Sequence, residues 1–146
     1  MVNAILVVCT GNICRSPTGE RLLRRAFPDK KIDSAGLAAL IGQEAEQHAS
    51  AVAEQHGLSL AGHRAQQFSR QLAKGYELIL VMDRHHLQVI SQIAPEISGK
   101  TLLFGHWLGA VEIVDPYRQS LAVFESVYQL MSRAASTWVP KLGEGV

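Results

Sequence analysis

Short unbroken apolar runs take turns along this chain with longer stretches in which apolar residues recur every three or four positions. Ala4-Ile5-Leu6-Val7-Val8 is the first run and predicts a strand. Beyond it Gly19, Leu22, Leu23 and Ala26 share one helical face, with Ser16 placed to cap that helix and Pro17 at its first position. Phe27-Pro28-Asp29 ends the helix, and Lys31-Ile32-Asp33-Ser34 reads as a short strand broken by Ala35-Gly36. The opening segment therefore predicts a βαβ unit whose two strands lie parallel and adjacent. Helical spacing returns at Ala45, Ala49, Val52 and Ala53, and Gly57 stands where a helix-ending glycine belongs. Residues 58–76 carry no clear period: Gly62-His63-Arg64 reads as a turn and residues 69–73 as one or two helical turns. Glu77-Leu78-Ile79-Leu80-Val81-Met82 predicts a strand buried on both faces, followed by a helix capped by Asp83 and carrying Leu87, Ile90 and Ala94 up to Pro95. Lys100-Thr101-Leu102-Leu103-Phe104 predicts the next strand, residues 105–119 a long loop, and residues 120–138 a final helix with Phe124, Val127, Met131, Ala134 and Trp138 facing the core. Residues 143–146 are expected to fray. Strands alternating with helices predict an α/β fold, a parallel sheet covered on both sides.

Composition narrows the function classes. A chain of 146 residues is expected to be one domain, 1–146, with a single well-filled core. A net charge of +1 gives no basic field, which argues against nucleic acid or an anionic membrane as the main partner. The first apolar run has no early Lys or Arg and is interrupted by Gly11 and Asn12, so neither a signal peptide nor a membrane span is expected. The only two cysteines, Cys9 and Cys14, make neither a secreted disulfide framework nor a metal-ligand set, and the expected compartment is reducing cytoplasm. His63, His85, His86 and His106 show no metal-ligand arrangement and read as surface or loop residues; no metal or cofactor is expected.

The chemistry is concentrated in Cys9-Thr10-Gly11-Asn12-Ile13-Cys14-Arg15-Ser16-Pro17, between the first strand and the first helix. Amides at a helix start lack intrahelical partners and carry partial positive charge, so a phosphate-sized dianion can be held by main chain. Five residues between Cys9 and Arg15 let the loop curl: the amides of Thr10, Gly11, Asn12, Ile13, Cys14 and Ser16 form an anion nest, and the planar Arg15 fork clamps two oxygens. Gly11 eases the turn, Asn12 tolerates the left-handed conformation and can tie the loop together, and Ser16 can donate to the Cys9 sulfur. Cys9 is then the candidate nucleophile, its thiolate favoured by the helix start and the arginine. The leaving oxygen needs a separate acid. Asp115 is the candidate, in a loop at the carboxyl ends of the strands, stiffened by Pro116 and beside Tyr117 at the entrance. A Walker A reading fails, because no Gly-Lys-Ser/Thr follows at the required spacing. Without the loop, Asp115-Pro116 would be a plain turn, Asp83 a cap and Ser34 a strand end; Trp107 reads as loop packing or partner contact, Trp138 as core.

The loop sequence, together with Asp33-Ser34-Ala35-Gly36, Val81-Met82-Asp83 and Asp115-Pro116-Tyr117, resembles the low-molecular-weight protein tyrosine phosphatases over nearly the whole chain. The resemblance implies a three-layer α/β/α fold with a four-stranded parallel sheet in the order 2-1-3-4. It also implies Cys9 as nucleophile forming a phosphocysteine, Arg15 binding the phosphoryl group, Asp115 as general acid, and Asn12 and Ser34 holding the loop in shape. Cys14 matches a second loop cysteine that in the family can form a disulfide with the nucleophile; plain packing is the alternative role. Phe104-Gly105-His106-Trp107 and the general run of the chain look most like bacterial members found with capsule or exopolysaccharide genes, which act on a membrane tyrosine autokinase controlling polymer export. A phosphotyrosine protein of that kind is the expected partner, and a monomer the expected state. Leu40 stands at a rim position often aromatic in animal members, and Arg118 follows Tyr117 where those have a second tyrosine, so substrate preference is not carried over from them. Within the fold the alternative is a thiol-dependent arsenate reductase, which needs further cysteines that are absent after Cys14. Outside it stands a phosphate-binding regulatory module without turnover.

Overall fold

The computed structural model describes residues 1–143. Four strands, β1 (Ala4–Cys9), β2 (Lys31–Gly36), β3 (Leu78–Val81) and β4 (Thr101–Leu103), form one parallel sheet in the order β2-β1-β3-β4. The expected sheet and order are therefore present. Around it lie α1 (Arg15–Ala26), α2 (Gln47–Gln55), α3 (Arg70–Ala73), α4 (Arg84–Ile93) and α5 (Leu121–Leu142), with a tight 3-10 turn at Pro95–Lys100 before β4. No helix among the described residues is long and apolar enough to cross a membrane.

The central strand shows why its run is unbroken. Ile5, Val7 and Cys9 point into a core shared with α1, α2 and α5, whereas Leu6 and Val8 point into a second core with Ile90 of α4 and Phe68. Both faces are buried, so no polar alternation survives in the sequence. Gly19 lets α1 approach closely: an added Cβ would stand 3.0 Å from Val7, 3.1 Å from Met131 of α5 and 3.1 Å from Phe104. Trp138 is fully buried on α5, as its helical stripe predicts, and its Nε1 donates to the Phe104 carbonyl at 2.8 Å.

Several boundaries differ for local reasons. β2 is not broken at Ala35-Gly36: it runs through Gly36, which pairs with Cys9, because the missing side chain lets the Thr10 carbonyl pass. α2 begins at Gln47, where the Glu46 carboxylate caps the amides of His48 and Ala49. It ends as predicted at Gly57, whose φ of 76° allows Leu58 and Gly57 to donate back to Ala53 and Glu54. Ser69 caps α3, Asp83 caps α4 and Ser120 caps α5. α5 continues to Leu142, a turn beyond the predicted end, and the Gly143 amide closes it by donating a hydrogen bond to the Val139 carbonyl. The expected fraying of residues 144–146 lies outside the described residues.

Candidate active site

The predicted capping role of Ser16 is wrong. α1 starts at Arg15, with Cys14 at the cap position and no side chain capping the first turn. The Ser16 hydroxyl is engaged elsewhere, 2.9 Å from Cys9 Sγ, and its amide lies 3.4 Å from the same sulfur. The helix start is thus left without a protein cap, which is where an anion binds best.

Asn12 holds the loop from inside. It is fully buried, sits at φ 58°, and uses every polar atom of its side chain: Nδ2 donates to Ser16 Oγ at 2.7 Å and to Ser34 Oγ at 3.0 Å, while Oδ1 accepts the Gln66 amide at 2.9 Å. Ser34, having accepted from Asn12, donates to the buried Glu20 Oε1 at 2.7 Å. Ser16 accepts from Asn12 as well and stands 2.9 Å from Cys9 Sγ, where its hydroxyl can serve as a donor to a thiolate. The sulfur therefore has the Ser16 amide and the Ser16 hydroxyl beside it, one certain and one potential donor. Glu20 is held in turn by Arg21 at 2.8 Å and Arg24 at 3.4 Å.

Arg15 is 2% exposed, and both terminal nitrogens of its fork have partners. Nη1 donates to the Ile113 carbonyl at 2.7 Å and to Asp83 Oδ2 at 3.2 Å; Nη2 donates to Thr10 Oγ1 at 3.5 Å and faces Asp115 Oδ2 at 3.7 Å. Burial opposes ionisation of Asp83, but the His86 amide and the Arg15 guanidinium outweigh it and hold the carboxyl below its usual range. Asp83 is thus both the α4 cap and the anchor of Arg15. Asp115 comes from the loop before α5, about half exposed, with Oδ1 accepting the Tyr117 amide at 3.0 Å.

These groups enclose a cavity of about 180 Å³. Cys9, Thr10, Gly11, Ile13, Cys14 and Arg15 line its base, and Ala38, Leu40, Asp115 and Tyr117 its wall. All the residues predicted for the base and rim meet there except Asn12, Ser16 and Ser34, which lie behind it as supports. Cys14 is a buried free thiol whose ionisation is opposed by burial and then by the neighbouring Cys9, Glu46 and Asp115, so its pKa is pushed far up. Among the described residues no cluster of His, Cys, Asp and Glu could hold a metal.

The sequence reading misplaced two histidines. His63 and His86 are buried, not surface residues. His63 Nε2 donates to the Asn12 carbonyl at 2.6 Å, and burial lowers its pKa, which keeps the ring neutral. His86 reaches Thr10 from α4. Its burial was detectable, since it stands four residues before Ile90 on the same inward face. Glu20 and Gln66 were also missed; nothing local in the sequence marks either.

The model of the low molecular weight phosphotyrosine protein phosphatase family matches residues 4–146. The tyrosine phosphatase Wzb of Escherichia coli K12 is 53% identical over 142 residues, covering 97% of each chain. The crystal structure of Wzb from Escherichia coli K30 with sulphate superposes with a TM-score of 0.96 at 58% identity, covering 98% of this chain and all of that one. Vibrio vulnificus Wzb in complex with benzylphosphonate gives 0.95 at 49% identity, covering 97% and 100%. With the family model spanning almost the whole chain and relatives above half identity matched end to end, this chain belongs to the low molecular weight phosphotyrosine protein phosphatases.

Proposed function

We propose that the protein hydrolyses phosphotyrosine in proteins through a phosphocysteine on Cys9. The observation that carries this reading is the Cys9 sulfur, held by the Ser16 hydroxyl and amide at the base of a cavity with an uncapped helix start beneath it and Arg15 at its side. The thiolate attacks phosphorus as the bond to the aryl oxygen breaks. Asp115, protonated in this step, gives its proton to that oxygen. Water then attacks the phosphocysteine, Asp115 takes its proton, the S–P bond breaks and inorganic phosphate leaves. The loop amides and Arg15 match the charge that spreads over the equatorial oxygens. Ala38, Leu40 and Tyr117 give the wall an apolar surface for an aromatic ring.

The likeness to Wzb, together with the Phe104-Gly105-His106-Trp107 run, supports a cytoplasmic, monomeric enzyme acting on a membrane tyrosine autokinase that controls exopolysaccharide or capsule export. Arsenate reduction by thiol relay is disfavoured by the absence of cysteines after Cys14.

Two variants test the chemistry. Cys9→Ser should abolish turnover of p-nitrophenyl phosphate and phosphotyrosine peptides; appreciable residual activity sinks the mechanism. Asp115→Asn should cost on the order of 10²–10⁴-fold with alkaline leaving groups and much less with acidic ones; equal losses point to another acid. Phosphoproteins trapped from lysate by Asp115→Ala identify the partner, and recovery without any tyrosine autokinase contradicts the assignment.

A further inference from the structure

His86 lies behind the loop, 1% exposed, in the first turn of α4. Its two nitrogens have different, fixed partners. The Met82 amide points at Nδ1 from 3.2 Å, and an amide only donates, so Nδ1 is the unprotonated acceptor and the ring proton sits on Nε2. Nε2 is 3.0 Å from Thr10 Oγ1 and donates to it. The same oxygen receives Arg15 Nη2 at 3.5 Å. A hydroxyl has two acceptor sites and one proton. With a donor on each acceptor site, Thr10 has only its proton left to offer, and Thr10 lines the cavity.

The charged and titratable groups facing the ring are Asp83, whose Oδ1 is 3.5 Å from Nδ1, together with Arg15, His85 and Asp115. Burial dominates the pull of Asp83, aided by Arg15 and His85, and brings the imidazole down to about 4. A protonated ring would also set a second N–H against the Met82 amide, donor facing donor. The imidazole is therefore neutral in one tautomer through the working pH range.

We propose that His86 is a positioning residue: its Nε2–H commits the Thr10 hydroxyl to donating toward a bound phosphoryl oxygen beside Arg15. Were the hydroxyl free to turn, a lone pair could face the dianion and repel it. The inference rests on the reading of the Cys9 cavity as a phosphatase site, and it adds a side-chain donor to the main-chain nest.

The test is a double-mutant cycle on Thr10→Val and His86→Leu, reading kcat and KM for p-nitrophenyl phosphate and the inhibition constant of inorganic phosphate. Each single substitution should weaken phosphate about tenfold, the scale of one charge-assisted hydrogen bond. The double variant should be no weaker than Thr10→Val, because His86 acts through that hydroxyl. His86→Gln, which keeps an N–H donor, should recover most of the loss, and Thr10→Ser, which keeps the hydroxyl, should bind phosphate more tightly than Thr10→Val. Assays well below each variant's thermal midpoint separate this from unfolding. Losses that multiply in the double variant, or His86→Leu with wild-type phosphate affinity, overturn the role of His86 while wild-type turnover leaves the phosphatase reading standing. A wild-type protein without phosphatase turnover overturns both.

Discussion

Replacing Asn12 by Ala and, separately, by Gly distinguishes the two tasks of this residue. Ala removes three side-chain hydrogen bonds, to Ser16, Ser34 and the Gln66 amide. Each is worth about 1 kcal/mol net, and the buried partners left behind make the sum a lower bound. Ala must also adopt φ 58°, which costs it a further 1 kcal/mol or roughly that. The expected destabilisation is about 4 kcal/mol for Ala and about 3 for Gly, which loses the same bonds but adopts the positive φ without the Cβ clash. For a chain of this size that is a fall of roughly 10–15 °C in Tm. Urea unfolding monitored through Trp107 and Trp138 measures both. Activity should fall in both variants, because Ser16 loses the Asn12 bond that holds its hydroxyl beside Cys9. A Gly variant less stable than Ala would refute the left-handed assignment, and an Ala variant within about 1 kcal/mol of wild type would refute the hydrogen-bond argument.

Asp83→Asn keeps a capping side chain on α4 but removes the charge beside Arg15. Because the folded carboxyl lies below its ordinary value, its contribution is complete above pH about 4 and is lost as pH falls through the folded pKa, so a gap of about 1–2 kcal/mol at neutral pH should close on acidification. A gap that widens toward acid contradicts the sign. Gly36→Ala would place a Cβ 2.5 Å from the Thr10 carbonyl and 3.0 Å from the Asn12 amide. It should lower kcat/KM at least about tenfold with a modest stability loss of about 1–3 kcal/mol, the scale of overpacking; wild-type kinetics would show that the loop has slack there.

β1 and β3 were legible because burial on both faces leaves one signature, an unbroken apolar run; right-handed crossover made β1 and β2 parallel neighbours, and the full order came from the family resemblance. Helix ends were legible where one side chain decides them: Asp83, Ser120 and Gly57 behave as their types predict. Ser16 failed as a cap for a reason outside propensity. Its hydroxyl had a second possible partner, the sulfur seven residues earlier, and only the curled loop brings the two together. Cys9, Arg15 and Asp115 were found because their chemistry is carried by residue type. His63 and Glu20 escaped because nothing in the local pattern marks them as buried, and their partners stand 51 and 14 residues away; the position of His86 could be read from its spacing to Ile90, but not its partner, 76 residues away.

The irregular backbone of residues 37–46 and 58–67 has the same origin as the loop's chemistry. A loop that turns its amides toward an anion must turn its carbonyls into the protein, and each buried carbonyl needs a donor. The carbonyls of Cys9, Thr10 and Gly11 accept the amides of Leu37, Ala38 and Leu40 at 2.9, 2.9 and 3.1 Å. Asn12 accepts His63 at 2.6 Å, Ile13 the Glu46 amide at 2.7 Å, and Cys14 the Thr18 hydroxyl at 3.2 Å. Segments whose donors are committed to the loop, one after another, cannot also close their own helix or sheet ladders, so they show no period to read. Their irregularity is the reverse side of the anion nest: Gly36, Asn12 and His63 lie behind the loop and outside the cavity lining, and changes there should reach the Cys9 sulfur through the loop backbone.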